Sequence, residues 1–127
     1  MTPGASGPGP LARVELACRD PHRQREFFGR ILGLAPAEQG NALRFALGAV
    51  ELVLRPRGDA LFASARGGEA GTLLAFPVAD AELERWHRRM LMARVAVLDA
   101  PGPSGAPPRL LRVADPEGNV IELFAAA

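Results

Sequence analysis

The stretch that decides the fold lies at the end of the chain, where a turn leads into a short apolar strand: Asp115-Pro116-Glu117-Gly118-Asn119, then Val120-Ile121-Glu122-Leu123-Phe124. Pro116 presets the backbone for the first central position of a turn, and Gly118 tolerates the positive φ that closes it. Side chains alternate along a strand, so Ile121 and Leu123 point one way and Glu122 the other. Glu122 is therefore predicted to face something other than the apolar core.

A strand followed by an amphipathic helix occurs twice in the chain. The first strand is predicted over 11–18, and Asp20 follows it as the cap of a helix that ends at Gly33. The second strand is predicted over 73–78, and Asp80 follows it as the cap of a second helix. This helix repeats apolar residues at the spacing of one buried face, namely Leu83, Trp86, His87, Met90 and Leu91.

Further strands complete each half of the chain. Alternating segments at 42–47 and 50–55 predict a hairpin, with a weaker strand over 35–38, and three more strands are predicted over 95–98, 109–114 and 119–124. Each half is thus a βαβββ module, and the fold is predicted to be α+β, with the two modules pairing into a cupped mixed sheet that has helices on its outer face. The expected boundaries are a flexible tail at 1–10 and one domain at 11–127, with modules at about 11–56 and 72–124 joined by a linker at 57–71.

The closing turn and strand, together with the first module, resemble a known family. In the first module the resemblance rests on Arg13-Val14-Glu15-Leu16, Asp20 and Phe27-Phe28-Gly29-Arg30-Ile31-Leu32-Gly33-Leu34. Over roughly Leu11 to Phe124 the chain resembles the vicinal oxygen chelate superfamily, the group of glyoxalases, bleomycin-resistance proteins and extradiol dioxygenases. The resemblance implies the paired-module architecture, but it does not choose a function, because one scaffold hosts unrelated chemistry.

The resemblance also implies where a divalent metal would bind in catalytic members, on the first and last strands of each module. The matching positions here are Arg13, Glu51, Leu73 and Glu122. Neither Arg13 nor Leu73 can bind a metal, and two carboxylates do not select zinc or iron. No cofactor is expected, although weak binding of magnesium or calcium by the two carboxylates stays open.

In place of a metal, we predict that Arg13 bridges Glu51 and Glu122, since a guanidinium can bind two carboxylates. Glu15 should face the same way as Arg13. A ligand-binding cleft is then predicted, with apolar walls and a few polar groups, lined by Arg13, Glu15, Glu51, Val53, Leu73, Arg112, Glu122 and Phe124. The alternative interpretation is a solvated or salt-bridged floor with no ligand.

The leading hypothesis for function is metal-independent binding and sequestration of a small organic molecule in the cleft, as in bleomycin-resistance proteins. The alternative is a glyoxalase-like lyase or isomerase, or a dioxygenase, that uses Glu51 and Glu122 with a divalent metal. A third hypothesis is a degenerate module that acts as a subunit or regulator. No catalytic residue is assigned, because His22 and His87 are predicted to lie on the two helices and away from the cleft.

Composition limits the remaining possibilities. All 15 basic residues are arginine, yet the net charge is only +1, so no nucleic-acid partner is expected. Cys18 is the only cysteine and is predicted to be a core residue. No apolar run approaches the roughly 20 residues of a membrane span, and no targeting signal is evident, so a cytoplasmic protein is expected. Lysine and tyrosine are absent and Ala, Gly and Pro are many, which indicates GC-rich coding and hence a bacterial source. A homodimer is predicted, with Phe124 and Leu61-Phe62 at its interface.

Overall fold

The computed structural model describes residues 7, 10–37, 43–56 and 72–126. The first module has strand β1, helix α1 continued by a π-helical segment, and strands β2 to β4: Arg13–Cys18, Pro21–Arg25, Glu26–Ile31, Ala35–Pro36, Arg44–Leu47 and Val50–Pro56. The second module has strand β5, a 3-10 turn, helix α2 and strands β6 to β8: Leu73–Val78, Asp80–Glu82, Leu83–Met92, Ala96–Asp99, Leu110–Ala114 and Val120–Ala125. The predicted linker at 57–71, including Leu61-Phe62, lies outside the described residues, as does most of the predicted tail.

Each module forms its own four-stranded sheet, with strand orders β1-β4-β3-β2 and β5-β8-β7-β6. The first strand of each module pairs in parallel with the last, and the remaining pairs are antiparallel. The structure therefore confirms the α+β class and the two βαβββ modules. Within the parts of the chain given above, no helix is long and apolar enough to cross a membrane.

One hydrophobic core joins the helices to one face of both sheets. The alternation of the strands predicts its members: Leu16 and Cys18 of β1, and Ile121 and Leu123 of β8, are all buried. Helix residues also contribute to this core, among them Phe27, Phe28, Leu83 and Met90. The prediction that Cys18 is a core residue is confirmed.

The predicted apolar face of α2 is wrong at one position. Leu91 is 54% exposed, whereas its neighbour Met90 is fully buried and Trp86 is half-buried against the core. An α-helix advances about 100° per residue, so a residue adjacent to the centre of a buried stripe can turn out of it.

Helix α1 begins and ends as the sequence predicts. The Asp20 carboxylate accepts a hydrogen bond from the backbone N–H of Arg23 at 3.2 Å, and Pro21 occupies the first turn, where a missing N–H costs nothing. After Leu32 the chain leaves the helix through Gly33, whose φ of 83° is a conformation that other residues adopt only with strain.

The prediction that Asp80 caps the second helix is wrong. The segment begins as a 3-10 turn in which the backbone N–H of Glu82 bonds to the carbonyl of Ala79, and no side chain caps it. The Asp80 carboxylate instead accepts from Arg109 Nε at 2.8 Å. An ion pair with a buried guanidinium outcompetes a bond to one backbone N–H, because both of its partners are charged.

Arg109 anchors the loop that precedes β7. Its side chain is only 4% exposed, and besides Asp80 it donates to Glu84 Oε2 at 3.0 Å and to the carbonyl oxygen of Gly102 at 2.6 Å. Hydrogen bonds from Arg109 lower the pKa of Glu84, and those to Glu84 and Asp80 raise the pKa of Arg109. The Pro- and Gly-rich loop at 100–108 is thereby held against α2.

Hydrogen bonds also tie the two modules together. Gln24 of α1 is fully buried and donates from Nε2 to Asp115 Oδ2 in the β7–β8 turn at 3.0 Å. The backbone N–H of Asp20 donates to Glu117 Oε2 in the same turn at 2.8 Å. The closing turn of the chain is thus a contact between the modules as well as a connection between strands.

Candidate functional site

The sheet face opposite the core carries ion pairs in the first module. Arg13 lies beside Glu51 in the parallel register of β1 and β4, yet its Nε donates to Glu15 Oε2 at 2.6 Å. Glu15 also accepts from Arg55 Nε. Glu51 accepts instead from Arg44 Nη1 at 2.6 Å, across the antiparallel β3–β4 pair. The shared face of Arg13 and Glu15 is confirmed, but the predicted bridge from Arg13 to Glu51 and Glu122 is wrong.

The corresponding face of the second module has its own ion pairs. Glu122 accepts from Arg112 Nε at 2.9 Å, and Arg112 Nη1 also donates to Asp99 Oδ2 at 3.2 Å. Both carboxylates raise the pKa of Arg112, with Glu122 the larger cause. The guanidinium therefore keeps its charge beside Glu122.

The strand registers place Glu51 and Glu122 differently within their modules. Glu51 lies beside Arg13 at the start of β1, but Glu122 lies beside Ala75, two residues beyond Leu73 on β5. The residue beside Leu73 is Val120. The four positions implied by the family resemblance are consequently not symmetric pairs in this chain.

Two cavities contain some of the predicted cleft residues. Glu122 and Phe124 line a cavity of about 590 Å3 under the loop that precedes β7, with Pro107, Pro108 and Leu110 among its walls. Leu73 lines a different, largely apolar cavity of about 530 Å3, together with residues of β3 and β4. The structure therefore brings Glu122 and Phe124 together and places Leu73 elsewhere. Neither cavity includes the predicted cleft residues Arg13, Glu15, Glu51, Val53 and Arg112.

An arginine binds each of the two carboxylates that match the family's metal positions: Arg44 binds Glu51 and Arg112 binds Glu122. Among the residues in the described ranges, no three His, Cys, Asp or Glu side chains are grouped so that they could hold an ion. Zinc and iron sites usually need three or four protein ligands, which this part of the chain does not bring together. A magnesium or calcium ion at either carboxylate would compete with the arginine already bound there.

Two arginines lower the pKa of Glu15. Hydrogen bonds from Arg55, and then from Arg13, hold the pKa of Glu15 below its usual value. A depressed carboxyl pKa stabilises the folded state above the ordinary glutamate pKa. That contribution is lost as the pH falls through the lowered pKa.

We expect Arg55→Gln to raise the pKa of Glu15 more than Arg13→Gln does, because Arg55 is the larger cause of the shift. A pH titration of the Glu15 carboxyl carbon by NMR measures both values. Arg19→Gln serves as the control, since Arg19 is exposed and makes none of these contacts. A larger effect of Arg13→Gln would contradict the arrangement of ion pairs described above.

A match to a sequence family identifies the superfamily of this chain. The family model that describes the glyoxalase/bleomycin resistance protein/dioxygenase superfamily matches residues 11–123. The chain belongs to this superfamily. Among curated proteins, no relative matches it.

Solved structures of differently named proteins show the same fold. TioX from Micromonospora sp. ML1 is 21% identical, with a TM-score of 0.70 over 94% of this chain and 100% of that one. Lactoylglutathione lyase from Agrobacterium tumefaciens is 22% identical, with a TM-score of 0.67 over 94% and 95%. A glyoxalase/bleomycin resistance protein/dioxygenase family enzyme from Burkholderia phytofirmans PsJN is 17% identical, with a TM-score of 0.78 over 94% and 100%. At these identities the likeness establishes the fold.

Sequence reasoning missed the arginines that hold the carboxylates of the first module. Alternation along β3 places Arg44 on the face opposite the buried Phe45, and hairpin pairing then brings it to Glu51. Alternation along β4 likewise places Arg55 on the face of Glu51. The pattern could have revealed both residues, but only the register shows which carboxylate each one binds.

Proposed function

We propose that this protein binds a small organic molecule without a metal ion, in the cavity lined by Glu122 and Phe124. The observation that carries the proposal is the pairing of Glu51 and Glu122. Each of these carboxylates matches a metal position of the family, and each forms an ion pair with an arginine of a neighbouring strand. The family membership supports a small-molecule site but does not by itself choose between binding and catalysis.

The cavity combines apolar walls with a few polar groups. Phe124, Pro108 and Leu110 provide apolar surface. Asp80 and Arg109 also line the cavity but bind each other, which leaves the Glu122 carboxylate as an acceptor for a flat molecule with one hydrogen-bond donor. Arg112 holds only one of the two Glu122 oxygens in the structure, Oε1, so Oε2 can accept from a ligand. A few polar groups among apolar walls are typical of small-molecule sites.

A metal-dependent reaction at Glu51 and Glu122 has less support. The two carboxylates lie in different sheets and at different strand registers, and each is bound by its own arginine. Neither His22 nor His87 lines the Glu122 cavity. Sequestration therefore fits this arrangement better than a glyoxalase-like or dioxygenase reaction, or a purely regulatory module.

The homodimer is part of the same proposal. Leu73 and Leu98 are about half exposed, at 48% and 51%. They lie on β5 and β6, the two edge strands of the second sheet. Pairing of two chains would cover these side chains and the open sheet edges. A cytoplasmic location and a bacterial source stay predictions.

We expect 1-aminoanthracene, a neutral flat molecule with an amino donor, to bind saturably with enhanced fluorescence. Phe124→Ala should weaken binding about tenfold, because the aromatic rings of the probe no longer contact the phenylalanine ring. Leu91→Ala, at an exposed position on α2, is the control and should leave the affinity unchanged. The measurement is a fluorescence titration with and without EDTA.

Elemental analysis of protein purified without chelators should show well under one equivalent of zinc, iron, nickel or manganese per chain. Loss of probe binding on addition of EDTA would contradict the proposal. So would a stoichiometric transition metal that disappears in the Glu51→Gln or Glu122→Gln variant.

A further inference from the structure

A third cavity, called here the helix-side cavity, lies on the helix side of the molecule and away from the ion-paired sheet faces. It measures about 560 Å3 and is lined by α1 and its π-helical continuation on one side. The other side is formed by the chain that leaves α2 and by the ends of β6 and β7. Both modules therefore contribute walls to one cavity.

The floor and the rim of this cavity differ in chemistry. Ile31 and Val95 are half-buried and provide apolar surface, with the buried Phe27 behind them. The side chains of His22, Arg23 and Arg94 lie at the exposed edge of the cavity. A molecule in the cavity would contact carbon at one end and hydrogen-bond donors at the other.

Three arginines and three acids line the cavity, and each acid accepts at least one hydrogen bond. Glu26 binds Arg30 at 2.6 Å, the Asp20 carboxylate accepts from the backbone N–H of Arg23 through Oδ1, and Asp115 accepts four hydrogen bonds. Within the described parts of the chain, the guanidinium groups of Arg23 and Arg94 form no ion pair. The rim therefore offers two guanidinium groups, beside the exposed carboxylate of Asp20.

Arg94 has a backbone conformation that is usually adopted by glycine. Its φ is 61°, and it is the only residue other than glycine with a positive φ among those described. It follows the end of α2, where its N–H bonds to Leu91 O at 3.1 Å and that of Val95 bonds to Met90 O at 2.9 Å. Helices commonly end in this way with glycine, because a side chain is strained there. A strained arginine at the rim of a cavity is consistent with a role for its guanidinium.

We propose that this cavity binds a small organic anion, with its apolar part on Ile31 and Val95 and its charged group between Arg23 and Arg94. Two guanidiniums can hold a phosphate or carboxylate group by charge-assisted bonds. The arginines at 85, 88 and 89 of α2 line a neighbouring cavity that shares Arg30 and Ile31 with this one, and they add positive potential nearby. The site is separate from the Glu122 cavity, so it does not depend on the proposed function.

The test is calorimetric titration of the full chain with phenyl phosphate, benzoate and phenol. We expect saturable binding of phenyl phosphate or benzoate, and the comparison of the two identifies the anionic group. Phenol lacks the charge and should bind at least about tenfold more weakly. Phenol that binds as tightly as the anions and competes with them for the same site, or no saturable binding of either anion, would overturn the proposal.

Arg94→Gly separates a ligand role from a structural one. It should weaken anion binding at least about tenfold, yet raise the melting temperature by about 3 °C, because glycine relieves the strain at this position. The control is Arg19→Gln, an exposed arginine that is not among the residues lining the cavity and should bind the anions as the wild type does. Unchanged affinity in Arg94→Gly, or an equal loss in Arg19→Gln, would show that the cavity is not the site.

Discussion

Asp115→Ala is expected to lower the free energy of unfolding by about 3 kcal/mol, because it leaves buried donors without an acceptor. The carboxylate is only 4% exposed. It accepts from the side chains of Gln24 at 3.0 Å and Asn119 at 2.8 Å, and from the backbone N–H groups of Glu117 and Asn119, both at 2.9 Å. The bond to Gln24 joins the two modules, so the loss should appear in urea-induced unfolding of the whole domain.

Asp115→Asn is the matched control. Its carbonyl oxygen still accepts from the two backbone N–H groups, and its new N–H2 group faces Gln24, whose Oε1 is buried and has no hydrogen-bond partner among the described residues. Rotation of the Gln24 amide would pair these two groups, so that only the Asn119 side chain loses its acceptor across from the new amide. We therefore expect a smaller loss of stability than in Asp115→Ala. A free energy of unfolding for Asp115→Ala within about 1 kcal/mol of the wild type would show that water replaces the carboxylate and that this turn is not a buried joint.

Phe28→Ala is expected to cost about 3 to 5 kcal/mol, a large share of the stability of a domain of this size. Phe28 is fully buried at the centre of the core. Its ring contacts Phe27 edge-on, with centroids 5.1 Å apart, and lies 6.3 Å from the ring of Phe45. Alanine would leave a cavity and remove both ring contacts. Chemical denaturation followed by circular dichroism measures the loss.

Phe28→Leu tests whether the loss comes from the cavity. Leucine restores most of the apolar volume, so its cost should be at most about 2 kcal/mol. Equal losses in the two variants would mean that the ring contacts dominate, and a negligible loss in Phe28→Ala would contradict the packing of the π-helical continuation of α1 against the first sheet.

The two proposed sites occupy different parts of the molecule, and the joint at Asp115 belongs to one of them. The Glu122 cavity lies under the loop that Arg109 anchors, whereas the helix-side cavity has Asp115 in its wall. A ligand bound in either cavity would stabilise the folded state through linkage. Only an anion in the helix-side cavity would contact both modules.

The sequence by itself determined the elements and their order. Alternation and turn residues predict the strands to within a few residues, and Asp20, Pro21 and Gly33 mark the ends of the first helix. These features depend on local backbone preferences and on the period of the apolar residues, both of which are present in a single stretch of chain. The same alternation correctly predicted which side chains of β8 are buried.

Only the tertiary structure decided which charged groups meet. Asp80 was predicted as a cap, but it binds Arg109, and Glu51 and Glu122 bind separate arginines in place of Arg13. Every one of these side chains is compatible with its strand or helix by local rules, and many arginines compete for each carboxylate. The partner is fixed by strand register and by the packing of distant segments, which a one-residue shift would change completely. For the same reason the helix-side cavity, whose walls come from two modules, cannot be recognised in either module alone.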